Sequence, residues 1–141
     1  MQPNRKLVAE ILHAARRITV ARDALLIGFE MTSAKVRLLR MVRRLPVPFT
    51  ISQLARAMDV SRQATRVTVH ELATAGFVYV EPNVRHKRTP VVTLSSAGSA
   101  VLDQLRRAEQ RWLLNLTRGF DEHTLAQTEW VIRALRERLR D

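Results

Sequence analysis

The feature of this sequence that most constrains its fold is a pair of short helical segments, each opened by a capping residue. Thr50 with Gln53 three residues later matches a capping box, which begins the first helix. Ser61 is suited to cap the second helix, which is expected to run to about Ala75. Gly76 follows where a helix commonly ends with a left-handed residue. The spacing therefore predicts two helices joined by a tight turn.

The packing positions of this segment predict that the two helices cross closely, as in a helix-turn-helix. Ala55 is the small residue needed at the crossing, and Asp59 can adopt the left-handed conformation at the turn. One stripe of the second helix is expected to be buried, with its two threonine hydroxyls bonding carbonyls one turn back. This stripe comprises Thr65, Thr68, Val69 and Leu72. The residues then expected to face outward are Arg62, Gln63, Arg66 and His70.

The flanking segments predict a mostly α (α+β) fold class. Phe77–Val80 and Val91–Leu94 are expected to form the two strands of a hairpin. An amphipathic pattern predicts one long helix over residues 4–27, and two more helices follow the hairpin, the last capped by Asp121. This order is that of a winged helix-turn-helix with N- and C-terminal dimerisation helices. The predicted division is 1–30, 31–96 and 97–141.

The terminal helices carry apolar stripes that a winged-helix core of this length cannot cover. The most economical cover is a second copy related by a two-fold axis, so the pattern predicts an isologous homodimer. The residues expected at the dimer contact are Leu7, Ile11, Leu105, Trp112, Leu116, Ile132, Leu135 and Leu139. The alternative is a monomer in which the extra helices fold back on the core.

The composition excludes several classes of protein. The 141 residues include no cysteine, which excludes disulfides, iron–sulfur clusters, thiolate zinc sites and cysteine nucleophiles. The four histidines lie far apart and the four glycines are isolated, so neither a metal site nor a phosphate-binding loop is expected. Without a visible nucleophile–base or paired-carboxylate motif, an enzyme and a cofactor are not expected. The longest apolar run, Ala24–Phe29, is too short to span a bilayer, and the expected location is the cytoplasm.

Charge is the feature of the composition that indicates a partner. The net charge is +11, and residues 96–141 carry eight basic and seven acidic side chains, so the basic excess lies in the first two thirds. Such a surface favours a polyanion, with double-stranded DNA the leading candidate. In the major groove Arg fits guanine O6 and N7 and Gln fits adenine N6 and N7, while Ser61 can bond a phosphate. The alternative is a solvated basic face.

A basic cluster, Arg85, Lys87 and Arg88, lies between the two predicted strands. On a hairpin tip such side chains can enter a narrow minor groove, where the electrostatic potential is most negative. His86 beside them is predicted to be a solvated histidine, with a pH switch as the alternative. The function predicted from these residues is sequence-specific DNA binding. The alternatives are a nonspecific or architectural DNA-binding protein and a protein-docking module.

Several motifs resemble those of the MarR family of bacterial transcription factors, over roughly Phe29–Val101. They are Met31-Thr32-Ser33, Leu54-Ala55, Val60-Ser61-Arg62-Gln63, Leu72 with Gly76-Phe77-Val78, and the stretch from His86 to Leu94 with Ser95 and Gly98. The resemblance implies a homodimeric repressor of pseudo-palindromic operators, released by a small, often aromatic, anionic ligand. It implies DNA contacts for Ser61, Arg62, Gln63 and Arg66 on the recognition helix and for Lys87 and Arg88 on the wing.

Two departures from the family's pattern bear on function. His86 stands where many members have an Asp that steadies the wing arginine, and the absence of cysteine removes the oxidant-sensing branch of the family. The resemblance implies a ligand pocket between the dimer helices and the DNA-binding lobe, but no motif identifies its lining. Arg16 or Arg17 is the suggested partner of a ligand carboxylate.

Overall fold

The structure is a computed structural model that describes residues 2–84 and 89–140. Within these ranges the chain forms six helices and one antiparallel sheet of three strands. The helices are α1 (Pro3–Ile27), α2 (Ser33–Arg44), α3 (Ile51–Met58), α4 (Arg62–Thr74), α5 (Ser96–Leu116) and α6 (Glu122–Arg138). The strands are β1 (Phe49–Thr50), β2 (Val78–Glu81) and β3 (Val91–Leu94). This order confirms the predicted mostly α fold class and the winged helix-turn-helix.

The sheet includes a strand, β1, that the sequence did not predict. β3 is the central strand, with Phe49 of β1 opposite Val92 and Val78 of β2 opposite Leu94. β1 has only two residues, so it is too short to show the alternating pattern by which strands are recognised. It nevertheless attaches the segment before α3 to the hairpin.

The second strand begins one residue later than predicted, at Val78 rather than Phe77. The backbone N–H of Phe77 donates to the carbonyl of Leu72 at 2.9 Å, and that of Gly76 donates to Ala73 at 3.0 Å. Gly76 has φ of 82°, which is the left-handed conformation predicted for it. Because these bonds satisfy carbonyls at the end of α4, Phe77 belongs to the turn that ends the helix.

The hydrophobic core is built from the winged-helix elements together with α5. Its most deeply buried large side chains are Leu38, Leu39, Leu54, Leu72, Val78, Val92, Leu102 and Leu105. Leu105 is 0% exposed within the single chain, so its side chain packs in this core, and its predicted place at the dimer contact stays a prediction. Periodicity shows that a helix has an apolar stripe, but it does not show whether that stripe packs against the same chain or another.

The start of α5 is fixed against the segment that follows α4. The hydroxyl of Ser95 donates to the carbonyl of Gly76 at 2.6 Å and accepts the N–H of Gly98 at 3.0 Å. A Cβ at Gly98 would lie 2.1 Å from the carbonyl oxygen of Phe77 and 2.7 Å from Cδ1 of Leu94. A residue without a Cβ is therefore required for α5 to approach the hairpin this closely.

The chain divides into two compact units, Met1–Ala108 and Glu109–Asp141. The first contains the helix-turn-helix, the sheet and most of α5. The second contains the end of α5 and all of α6, a helix without a buried residue. The division at 1–30, 31–96 and 97–141 stays a prediction. No helix within the described ranges has both the length and the apolar character needed to cross a membrane.

Candidate nucleic-acid interface

α3 and the turn after it have the geometry that their sequence predicts. The N–H of Thr50 donates to Oε1 of Gln53 at 2.9 Å, and the N–H of Gln53 donates to Oγ1 of Thr50 at 3.2 Å, which completes the capping box. Asp59 has φ of 54°, in the left-handed region, and ends α3. Ala55 is buried and its carbonyl accepts the N–H of Val60 at 3.0 Å. These contacts set the angle at which α4 leaves the turn.

One stripe of α4 anchors the helix to the core. Thr65, Val69 and Leu72 are all at most 2% exposed. Oγ1 of Thr65 donates to the carbonyl of Ser61 at 2.9 Å, and Oγ1 of Thr68 bonds one turn back in the same way at 3.0 Å, as predicted. Thr68 is only half-buried, so it lies at the edge of this stripe rather than within it. The anchored stripe leaves the opposite side of α4 facing solvent.

The exposed side of α4 brings together the four residues predicted to face outward. Arg62, Gln63, Arg66 and His70 are all exposed, and Arg66 lies three or four residues from each of the other three, which places them on one side of the helix. Nη1 of Arg66 donates to Oε1 of Gln63 at 3.3 Å. The face therefore combines positive charge with amide and imidazole groups, the side-chain types that bond base edges.

The N-terminus of α4 is arranged to receive an anion. The hydroxyl of Ser61 accepts the N–H of Ala64 at 3.0 Å and caps the helix, as predicted. The N–H groups of Arg62 and Gln63, in the first turn, have no partner within the helix and lie at the positive end of its dipole. A phosphate of a DNA backbone is the kind of group that such an end binds.

Two cationic residues of α2, which the sequence did not single out, fix the helix-turn-helix in place. Nη2 of Arg37 donates to the carbonyl of Met58 at 3.1 Å, at the C-terminal end of α3. Nζ of Lys35 lies 3.4 Å from Oε2 of Glu71 on α4. In each pair the two residues are more than 20 positions apart in the sequence, so no local pattern could have identified the contact.

Val67 lies on the exposed face of α4 and was also not identified from the sequence. Its side chain is 48% exposed, although it lies in the middle of a helix whose other valine, Val69, is 2% exposed. Val67 follows Gln63 by four positions and precedes His70 by three, so it belongs to the same face. Because the buried stripe fixes which positions of α4 face solvent, the sequence carried enough information to place Val67 on the exposed side.

The predicted wing contacts Arg85, Lys87 and Arg88, together with His86, lie outside the described residues. The strands on either side are described, and they pair as predicted up to Glu81 opposite Val91. The roles of the four residues therefore stay predictions. Among the residues that the structure does describe, no three His, Asp or Glu side chains are grouped so that they could hold a metal ion.

The fold and this exposed helix face define the class of protein as a winged helix-turn-helix with a basic surface of the kind that binds DNA. Residues 29–89 match the family model described as MarR family. The winged-helix segment of this chain is therefore similar to the MarR family over these residues, which agrees with the resemblance seen in the sequence.

Solved structures of the same fold cover nearly the whole chain. Wild-type apo MarR from E. coli is 21% identical, with 96% of this chain and 97% of that chain covered and a TM-score of 0.72. YusO from Bacillus subtilis is 14% identical, with 96% and 99% covered and a TM-score of 0.79. A mutant of S. aureus MepR bound to an oligodeoxyribonucleotide is 13% identical, with 99% and 100% covered and a TM-score of 0.71. No curated protein sequence matches the chain.

Proposed function

We propose that this chain is a homodimeric, sequence-specific transcriptional regulator that represses from a pseudo-palindromic operator and is released by a small, often aromatic, anionic ligand. The observation that carries the proposal is the face of α4, where Arg62, Gln63, Arg66 and His70 are exposed on a helix anchored along its opposite side. Such a helix fits the major groove, and these side-chain types match base edges there. The oligodeoxyribonucleotide bound by the MepR mutant, a protein of the same fold, supports this use.

The proposal of a homodimer rests on apolar side chains that one copy of the chain leaves uncovered. Four of the residues predicted at the dimer contact are well exposed: Leu7 at 44%, Leu116 at 49%, Ile132 at 44% and Leu139 at 83%. Ile11, Trp112 and Leu135 are half-buried. Burial of apolar surface is worth about 25 cal/mol per Å², so a two-fold contact through these helices would be favourable.

The proposed effector is an anion because the surface of α1 is basic. Arg16 and Arg17 are both exposed on this helix, and either would pair with a ligand carboxylate. The guanidinium group is always charged and offers a fork of donors that matches a carboxylate. A regulator of this kind acts on DNA inside the cell, which agrees with the predicted cytoplasmic location.

The experiment that tests the function is selection of bound duplexes from a random library, followed by sequencing and a salt titration on the enriched site. The wild-type chain is compared with Arg62→Ala, which removes a charge from α4, and with Arg106→Ala, which removes a charge from an exposed position on α5. We expect enrichment of a pseudo-palindrome with half-sites about one helical turn apart. Arg62→Ala should lose that preference, and Arg106→Ala should keep it.

Two results would contradict the proposed function. Equal, steeply salt-dependent binding to all duplexes would support the alternative of a nonspecific or architectural protein, to which the net charge of +11 is suited. Failure to bind any duplex would remove the DNA-binding role itself.

Where a site is enriched, a ligand screen on that site tests whether a small molecule releases the chain from DNA, with release by aromatic carboxylates as the expected outcome.

A further inference from the structure

We infer that α4 reads a guanine beside a thymine in each half-site, with Gln63 as the residue that orients Arg66 towards the guanine and Val67 as the residue that contacts the thymine methyl. The inference rests on the proposed DNA-binding function and specifies which bases the recognition face is suited to. It is carried by two observations: a hydrogen bond between two exposed side chains and an exposed valine next to them.

The first step concerns the donors and acceptors that remain for a base once Gln63 and Arg66 are hydrogen-bonded to each other. Arg has only donors, so the atom of Gln63 that faces Nη1 of Arg66 at 3.3 Å must be its carbonyl oxygen. One of the two lone pairs of the Gln63 oxygen is then occupied, so the groups that Gln63 and Arg66 together offer to a base are mostly N–H donors. Adenine needs both an acceptor and a donor from Gln, whereas guanine presents two acceptors, O6 and N7. The pair is therefore suited to guanine, which revises the expectation that Gln63 reads adenine.

The second step is the orientation of Arg66. With Nη1 directed at Gln63, the edge formed by Nε and Nη2 faces away from the amide, and two N–H groups on one edge are what a bidentate contact to guanine requires. A free arginine on a basic surface would also be drawn to the phosphates, which carry no sequence information. Gln63 therefore acts as a positioning residue that favours the base over the backbone.

The third step is the exposed methyl groups of Val67. An apolar side chain that is 48% exposed in the centre of a basic helix face is buried most favourably against an apolar group, because a polar group would lose its own hydration there. In the major groove the apolar group is the C5 methyl of thymine. Arg66 and Val67 are consecutive residues, about 1.5 Å apart along the helix axis, which is less than one base step of 3.4 Å. The thymine is therefore expected next to the guanine.

The experiment modifies single atoms of the enriched operator, so that the test does not depend on how a protein variant folds. Replacing the thymine by uracil removes only the methyl group, and replacing guanine by 7-deazaguanine removes only the N7 acceptor. We expect the uracil change to weaken wild-type binding about fivefold and the 7-deaza change to weaken it about tenfold or more. Val67→Ala should be insensitive to the uracil change, and Arg66→Ala should be insensitive to the 7-deaza change.

Variants of Gln63 separate positioning from direct contact. Gln63→Met keeps the length of the side chain but removes the acceptor, and we expect it to reduce the preference for guanine over adenine about tenfold while binding to random duplex is unchanged. Gln104→Met makes the same substitution at an exposed position of α5, and Val80→Ala makes the valine truncation at a residue of similar exposure, 46%, on β2. Both controls should retain the wild-type preferences.

The outcomes distinguish this inference from the proposed function. Two results would overturn the inference without affecting the proposed function. One is a selected pseudo-palindrome that has no adjacent guanine and thymine. The other is that wild-type and variant chains respond equally to both DNA modifications. If Gln63→Met retains the full preference for guanine, the positioning role is wrong. If no site is selected at all, both the inference and the proposed function are overturned.

Discussion

Gly98 is the residue at which added side-chain volume is expected to disturb the fold most. Because a Cβ there would lie 2.1 Å from the carbonyl oxygen of Phe77, Gly98→Ala must displace α5 from the hairpin. We expect a loss of about 1–3 kcal/mol in the free energy of unfolding, measured by urea denaturation. Ser96→Ala, at an exposed position in the same turn, should stay within about 0.5 kcal/mol of the wild type. Equal stability of the two variants would contradict the close approach.

Arg62 and Arg88 are expected to contribute to DNA binding in different ways. Arg62 lies on the face of α4 that is proposed to enter the major groove, whereas Arg88 belongs to the predicted wing cluster outside the described residues. Arg62→Ala should cost about 1–3 kcal/mol on the selected operator and flatten the base preference. Arg88→Ala should weaken binding to all duplexes evenly and reduce the salt slope by about one. Fluorescence anisotropy on operator and scrambled duplexes at several salt concentrations measures both quantities.

The same loss of specificity from both changes would contradict this assignment. In that case the wing would be reading bases or α4 would be contacting only phosphates. Because the comparison uses two arginine truncations, the charge removed is identical, and only the site of removal differs.

Single residues were predictable where a local rule fixes them. The outward position of Arg66 follows from the helical repeat once Val69 is placed inside, and the left-handed Asp59 follows from its place at a turn. The bond from Arg37 to Met58 and the need for glycine at position 98 depend on segments that meet only in the folded chain. The sequence carries no local signal for such contacts.

At the scale of elements, capping residues gave helix bounds that agree closely with the structure. α4 begins after Ser61 and α6 after Asp121, and the first helix begins at Pro3 where residue 4 was predicted. Strands were less predictable, because β1 forms only by pairing with β3 and has no pattern of its own. The end of a helix is determined by residues next to it in the sequence, whereas a short strand such as β1 forms only where a strand distant in the sequence pairs with it.

Asp121 is expected to make the start of α6 sensitive to acid. Its carboxylate accepts the N–H of Thr124 at 2.7 Å, and this backbone hydrogen bond lowers the pKa of Asp121 below its usual 3.8. Because the pKa is lower in the folded chain than in the unfolded chain, the ionised carboxylate contributes its full stabilisation at pH values above 3.8. That contribution is lost as the pH falls through the lowered pKa. The Thr124 amide proton, followed by NMR between pH 7 and acid, should report a midpoint below 3.8.

Asp121→Asn is the matched control for this titration. Asparagine keeps an oxygen that can accept the same bond, but it does not ionise. The Thr124 amide should then show no transition in this pH range. A transition of equal size and midpoint in the variant would assign the acid sensitivity to another group.

At the scale of the whole molecule, the distribution of charge and apolar surface matters more than any single contact. The basic excess lies in the first two thirds of the sequence, which include the recognition helix and the wing segment, while residues 96–141 are nearly balanced. Exposed apolar side chains occur on α1 and on α6, and α6 has no buried residue. The nearly balanced charge of residues 96–141 suits a contact between two copies, because like charges would repel across such a contact.

Two leucine-rich stripes that look alike in the sequence are therefore expected to respond differently to mutation. Leu105 is fully buried within the chain, so Leu105→Ala should cost about 2–5 kcal/mol in unfolding free energy and leave association of the folded chain unchanged. Ile132 is 44% exposed, so Ile132→Glu should leave the protomer folded but place an unpaired carboxylate in the proposed contact. Sedimentation velocity should show the wild-type chain and Leu105→Ala as dimers and Ile132→Glu as a monomer. Gln127→Glu adds the same charge at an exposed polar position of α6, and sedimentation of Ile132→Glu identical to it would remove α6 from the dimer contact.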